Sequence, residues 1–470
     1  MNKETKELLD AQDRLPQHRQ SLASGEGFSR RQFFKMSALG LSGYFFAQAA
    51  RPMEVMAQTK PQLESTAKNC IFIHLDGSPS HIDTFDLKEG SWTPKDFEPT
   101  TINQIRWPKG LLPKLAEQVP NFAVVRSMSA YALVHPLAQI WTQIGRNPAS
   151  GLSKVAPNIG AVVALEFESK RTPNQKLPGF IALNAGNIVG RGYFPPEFAP
   201  FGVAPNPAGL SNSTNPVGES RFSSRYNMLQ ALDEENRNNQ SVLGVGGDEM
   251  ASAYTQARGL MYNPEVQSVF QYSQDDSRAY GGNGFGNACL VAKNILKSDL
   301  GTHFIQINLG GWDNHNGIYT PQGIYGPARA LDAGLGQLIA DLAKTPSKTA
   351  GKSLLDETLI VAMGEFGRTV GQPNNQQGRD HFLQMSCLFA GAGVRGGRAI
   401  GSTDPTGSNT MDPGWSRGVT IRPEDVFCTI YSALGIDYTL VRQDDPFKRG
   451  FEYVPYASEG VYAPIDVLWT

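Results

Sequence analysis

The sequence predicts an α/β protein in which a largely parallel sheet is covered by helices on both faces. Three observations predict it. Short apolar runs rich in β-branched residues recur along the chain, helical patterns separate them, and polar clusters follow several of the runs. Near-continuous apolar strands are what a sheet buried on both sides requires.

The first run is Asn69 to Leu75, apolar from Cys70 to Ile73 and followed by a turn containing Gly77 and Pro79. Further runs are Phe122 to Arg126, Gly179 to Leu183, Phe304 to Leu309, Thr358 to Met363 and Met385 to Phe389. Helical patterns fall at about 112–118, 136–145, 157–167, 287–297, 325–343 and 423–434. The stretch 184–250 differs: it is dense in Gly, Pro, Asn and Ser, with little periodicity beyond Arg225 to Glu235. It reads as a loop-rich excursion from the sheet, of the kind that forms a lid or a substrate wall. The expected organisation is a leader over 1–57, one large domain over 69–455 carrying that insertion, and a tail over 456–470.

Bulk properties narrow the function. A hydrophobic fraction of 40% in 470 residues supports a globular chain with a sizeable core. The net charge is -2, the pI is near 6.4, and basic residues never form a long run. Nucleic acid is therefore not an expected partner. With 49 glycines and 31 prolines, the chain exceeds the ordinary combined share of about 12%. That favours a loop-decorated enzyme-like scaffold over a helical bundle.

Ser29-Arg30-Arg31-Gln32-Phe33-Phe34-Lys35 is a twin-arginine box, and Met36 to Ala50 follows as a weakly apolar stretch. Gly40, Gly43 and Gln48 keep that stretch below the ~20 apolar residues of a membrane span. We read a signal without a stable membrane anchor, cleaved near residues 50–58. Export by the twin-arginine machinery and a periplasmic or otherwise exported location are expected. The cysteines Cys70, Cys289, Cys387 and Cys428 form no CxxC pair. All but Cys289 lie in apolar runs and read as small buried hydrophobes; Cys289 has no assignment. Gly281 to Gly286 lacks the Lys-Ser/Thr ending of a phosphate loop and reads as a helix lead-in.

Polar clusters at strand ends carry the chemistry, because open α/β sheets bind ligands there. Gly310-Gly311-Trp312-Asp313-Asn314-His315 offers a divalent cation one hard oxygen, from Asp313, and one borderline nitrogen, from His315. After the first strand, Asp76 is the natural ligand, while Asp83 and Asp86 are open to a turn-capping role instead. Glu365 follows the Thr358 strand and can reach a metal, with Arg368 placed to hold an anion. His381 adds a ligand, with Asp380 or Arg379 as its partner.

These motifs carry a resemblance. Asp76-Gly-Ser-Pro-Ser-His-Ile-Asp-Thr-Phe-Asp86, Gly-Gly-Trp-Asp-Asn-His315, Gly-Glu365-Phe-Gly-Arg-Thr and Gly-Arg-Asp-His381 resemble the DUF1501 family of exported bacterial proteins. Arg422-Pro-Glu-Asp425, leading to Thr429-Ile430 and Leu434-Gly-Ile436, extends it. That family is similar to sulfatases, within the alkaline phosphatase-like superfamily. The resemblance implies a three-layer α/β/α sandwich, one or two divalent metals at the strand ends, and hydrolysis of phosphate or sulfate esters. It matches Asp76 to the first-strand metal aspartate and sets Glu365 where relatives place an aspartate. Asp313, His315 and His381 match later ligands. The superfamily's nucleophile segment is similar to His135 through Gly145-Arg146-Asn147-Pro148, with His135 in place of the oxygen or sulfur nucleophile. A small shift of that alignment brings Ser127 or Ser129 to the position. Phe366 stands where many relatives carry a second-metal histidine.

The first functional expectation is thus a metal-dependent hydrolase of phosphate or sulfate esters, acting on a small-molecule or polysaccharide ester. Asp76, Asp313, His315, Glu365 and His381 would hold the cation, and Arg368 or Arg146 would clamp the anion. His135 is left as a general base, a nucleophile or a further ligand. Zn²⁺, Ca²⁺, Mg²⁺ and Mn²⁺ all suit mixed carboxylate and imidazole ligands. The alternative is a non-catalytic, metal-stabilised binding or assembly protein of the cell envelope.

Overall fold

In a computed structural model, residues 61–238 and 244–470 are described. The twin-arginine motif, its apolar stretch and the expected cleavage region lie outside the described residues. At the centre is an eight-stranded sheet. Its strands are β1 (Asn69–His74), β2 (Phe122–Ser129), β3 (Phe180–Leu183), β4 (Phe201–Val203), β5 (Phe304–Asn308), β6 (Thr358–Met363), β7 (Gln384–Ala390) and β8 (Arg398–Ile400). Their order is β8-β2-β7-β6-β1-β5-β3-β4. Every pairing is parallel except the two made by β7, which runs against β6 and β2.

Strand alternation builds two cores from one sheet, since successive side chains point to opposite faces. Ile71 and Ile73 of β1 pack with α3 (Gly284–Ser298) and α4 (Tyr325–Lys344). Cys70 and Phe72 join the opposite core with α1 (His135–Ile144), α2 (Ile159–Glu168) and α5 (Pro423–Ala433). The result is the three-layer α/β/α sandwich expected, with a mostly parallel sheet. All four cysteines are buried and free, Cys289 among them in the α3 and α4 layer.

Local signals explain where the helices begin. Asn158 caps α2 by accepting from Gly160 N at 2.8 Å, and Pro136 occupies the first turn of α1. Asn283 accepts from Gly286 N at 2.9 Å, so α3 starts at Gly284, ahead of the expected 287, and the glycine stretch is its lead-in.

Three further expectations differ from what is observed. β2 runs on to Ser129 because Gln384 and Met385 pair with Ser129 and Met128. β4 and β8 were not foreseen; each is a three-residue edge strand, too short to show a period. The excursion expected to be loop-rich carries the helices Glu219–Asn238 and Gly244–Leu260. No helix among the described residues is long and apolar enough to cross a membrane.

The sheet's direction positions the site. β1, β5 and β6 end on the same edge, and the reversed β7 begins there. Residues just after the first three and just before the last therefore meet.

A candidate metal centre at the carboxyl edge of the sheet

Two turns are locked together before any ligand is considered. After β1 the chain turns through Gly77, whose φ is +92° and where a Cβ would sit 2.7 Å from Asp313 N. Only glycine lets this turn pass so close to the Asp313 backbone. The buried Ser78 hydroxyl accepts from Glu365 N and Phe366 N, both at 3.1 Å, and Gly77 N donates to Glu365 Oε1 at 3.1 Å. These bonds hold the turn after β6 against the turn after β1. After β5, Trp312 is buried and anchors the segment that presents Asp313. A two-residue antiparallel pairing sets His381 opposite Arg368.

Seven side chains meet on this frame as two groups. His135, Asp313, His315 and His381 form one, and His74, Asp76 and Glu365 the other, with potential ligand atoms inside each group within 4.8 Å of one another. Glu365 joins the groups: its Oε1 lies 2.7 Å from His135 Nδ1 and its Oε2 lies 3.9 Å from His74 Nε2. Asp313 Oδ1 is 3.0 Å from His315 Nε2, 3.3 Å from His135 Nε2 and 3.8 Å from His381 Nε2. Gln139, one turn into α1, donates to Asp76 Oδ1.

The electrostatics follow from burial and from these partners. At His135, burial opposes the charged ring, but the Glu365 hydrogen bond and the Glu365 and Asp313 charges outweigh it and raise the pKa. Burial likewise works against ionised Glu365, yet the His135 hydrogen bond and the His74 and His135 charges hold it below its ordinary value. Burial also works against ionised Asp313, but the Arg368 hydrogen bond and charge hold its pKa low. For His381, burial, with the Arg368, His135 and His315 charges, pulls the imidazole down to about 4. A neutral imidazole is the form that binds a cation.

The donor set fits a divalent cation. His381 Nδ1 lies 2.6 Å from Leu133 O, and His315 Nδ1 lies 2.7 Å from Asp380 Oδ1, so each Nδ1 carries its hydrogen. The two Nε2 atoms then face each other at 3.0 Å as lone pairs, with Arg368 Nη1 3.4 Å from that of His315, an arrangement that favours a further positive charge or a proton beside them. The carboxylate-histidine pairing of Asp380 with His315 is the usual support of a metal-binding imidazole. In the other group, Glu365 Oε2 and His74 Nδ1 are buried and make no hydrogen bond. His135 Nε2 also makes none, although Asp313 Oδ1 lies 3.3 Å away.

The expected ligands Asp76, Asp313, His315, Glu365 and His381 thus come together, and His135 lies where the two groups join. The two arginines fare differently. Arg368 is fully buried and each of its nitrogens already meets an acceptor: Nε donates to Ser78 O at 3.1 Å, Nη1 to Arg379 O at 3.2 Å, and Nη2 to Gly77 O and to Asp313 Oδ1. It positions Asp313 and leaves no open fork for an anion. Arg146 is not brought to the cluster. Its guanidinium stacks 4.1 Å over Phe451 and donates to Glu452 O, because Gly145 ends α1 and turns the chain away.

Ser127 is buried and donates to Pro413 O at 2.7 Å, so the strand has absorbed it. The Phe366 ring packs 4.7 Å from that of His135 and 4.5 Å from that of His381, acting as an apolar wall. Asp83 and Asp86 take structural parts. Asp83 Oδ2 accepts from Arg379 Nε at 2.7 Å and Ser80 Oγ at 2.6 Å, and its Oδ1 from Tyr319 OH at 2.7 Å. Asp86 meets Lys88 at 3.1 Å and accepts from Thr403. His74 and Gln139 were missed. The signal for His74 was present: a histidine inside an apolar strand, two residues before Asp76 and so on the same face.

A model of the family described as "Protein of unknown function (DUF1501)" matches residues 67–449. No curated protein matches the sequence. Several solved structures are similar. Ps i-CgsB, solved with k-i-k-neocarrahexaose, is 14% identical over 85% of this chain and 79% of its own, with a TM-score of 0.39. The lipoteichoic acid synthase LtaP from Listeria monocytogenes is 12% identical over 84% and 79%, with a TM-score of 0.35. A protein of the alkaline phosphatase superfamily from Vibrio parahaemolyticus is 13% identical over 81% and 68%, with a TM-score of 0.35.

Proposed function

The chain belongs to the DUF1501 family, and on that premise we propose that it is an exported, metal-dependent hydrolase of phosphate or sulfate esters. The observation that carries this reading is the pair of imidazole lone pairs facing each other 3.0 Å apart beside Asp313. Asp313, His315 and His381 would hold one cation, leaving His135 beside it, and His74, Asp76 and Glu365 are suited to a second. Of the metals considered, the imidazole-rich first group favours Zn²⁺. When bound, such a cation supplies Lewis-acid polarisation of the ester oxygen.

The chain's own residues do the rest. Glu365 holds the proton on His135 Nδ1 and leaves Nε2 as the basic atom facing the cluster. That hydrogen bond orients the His135 ring as a proton acceptor from an attacking water. Asp380 and the Leu133 carbonyl fix the other two imidazoles, and Arg368 fixes Asp313. Phe366 shields the His135 ring from bulk water on one side. Export rests on the Ser29 to Lys35 motif alone.

The test combines elemental analysis of the purified mature protein with aryl phosphate and aryl sulfate assays. Bound cation with turnover lost in Glu365→Ala is the expected result. A second reading, a non-catalytic metal-stabilised envelope protein, is favoured by the histidine at the nucleophile-like position. Bound cation without turnover of any ester would establish that reading and overturn the hydrolase.

A further inference from the structure

At the far end of α1 lies a cavity of about 490 Å³, within the range of ordinary small-molecule pockets. Trp141, which helps line it, is six residues beyond His135, about 9 Å along the helix axis. None of the histidine cluster's residues line this cavity.

Its walls pair aromatic surface with two unsatisfied polar groups. Tyr131 stacks on Trp141 with ring centroids 5.0 Å apart, and its hydroxyl meets that of Tyr462 at 2.8 Å. Tyr456 is 55% exposed at the mouth. Glu424 is 3% exposed; its Oε1 accepts from Trp141 Nε1 at 2.7 Å, but its Oε2 has no partner. Arg146 is 4% exposed, and its Nε has no partner either. No ion pair joins the two. Both atoms are buried in residues that line one cavity, and such atoms are costly unless a water or a ligand completes them.

A ligand that completes both must hydrogen-bond a carboxyl group, accept from a guanidinium N–H, and lay apolar surface against aromatic rings. An inorganic anion would satisfy Arg146 but meet ionised Glu424 as a like charge, and an amine would reverse the mismatch. Hydroxyl groups both donate and accept, and a pyranose ring adds C–H faces that suit tyrosine and tryptophan, which are apolar in body and polar at the tip. We infer that this cavity is a saccharide-binding site, with Glu424 and Arg146 reading ring hydroxyls and Trp141 and Tyr456 taking the apolar face. The inference does not rest on the hydrolase reading.

The test is isothermal titration of the folded mature protein with cellobiose, chitobiose and digalacturonate, into the millimolar range expected of a single carbohydrate subsite. Saturable binding of at least one is expected. Tyr456→Ala and Glu424→Gln should each weaken it at least about tenfold with the melting temperature of Tyr456→Ala unchanged, and Glu365→Ala should leave it intact. Preference for digalacturonate would mark the site as one for acidic sugars, and preference for the others as one for neutral sugars. Absence of saturable binding by all three, or binding indifferent to both cavity variants, would overturn the inference.

Discussion

The turns after β1 and before β7 bury charge in two contrasting ways. Asp83 and Arg379 form a closed network: both are fully buried, both Asp83 oxygens are paired, and Arg379 also donates to Thr369 O, Gly371 O and Tyr319 OH, each at 2.8 Å. Nearby, the His135, Glu365 and Asp313 cluster is incomplete, with Glu365 Oε2, His74 Nδ1 and His135 Nε2 lacking hydrogen bonds. The same acidic and basic residue types serve as fasteners in one place and as an open coordination set in the other. Satisfaction of every donor and acceptor is what separates the two, since a half-satisfied buried network is costly without a further partner.

The largest effect should come from breaking the closed network. Arg379→Ala leaves Asp83 buried and unpaired, and should lower the unfolding free energy by about 3–5 kcal/mol, read from urea denaturation. A loss below about 1 kcal/mol, the worth of an exposed pair, would erase the contrast. Next comes the open set. Asp380→Asn weakens the carboxylate behind His315 and should reduce cation affinity about 10–100-fold by chelator competition. The cation-free protein should melt as before; a parallel loss of stability would make Asp380 another fastener.

Glu424 is the intermediate case, with one oxygen paired and one not. Burial raises its pKa from 4.5 to about 7, so the unfolded chain loses this proton at lower pH than the native one. Native stability should therefore fall as pH climbs from about 4.5 through about 7, by about 3 kcal/mol. Glu424→Gln has no proton to lose and should lack that slope in pH-dependent denaturation. An identical slope in the variant would place the titration elsewhere.

The strands of the sheet's middle were legible because burial on both faces writes an apolar run into the sequence, as in Ile71 to Ile73 and Leu359 to Ala362. Ligand candidates at their ends were legible for the same reason: Asp76 and Glu365 are the first carboxylates past such runs. What escaped was set by partners distant in sequence. His74 reads as part of a strand until Glu365 and Thr142 are placed beside it. Arg368 reads as an anion clamp until the carbonyls of Gly77, Ser78 and Arg379 close around it. Arg146 reads as an anion clamp through the resemblance of His135 through Pro148 to a nucleophile segment, yet the helix His135–Ile144 carries its two ends apart.

The central position of β1 has a kinetic consequence. Its neighbours β5 and β6 arrive far along the chain, and His381 arrives later still, just before a strand that must insert in reverse between β6 and β2. Contacts of such long sequence separation form slowly. A growing chain must hold β1, all but Asn69 destined for full burial, without partners until most of it has been synthesised. That interval is the stage at which this protein is most exposed to aggregation and most in need of a chaperone.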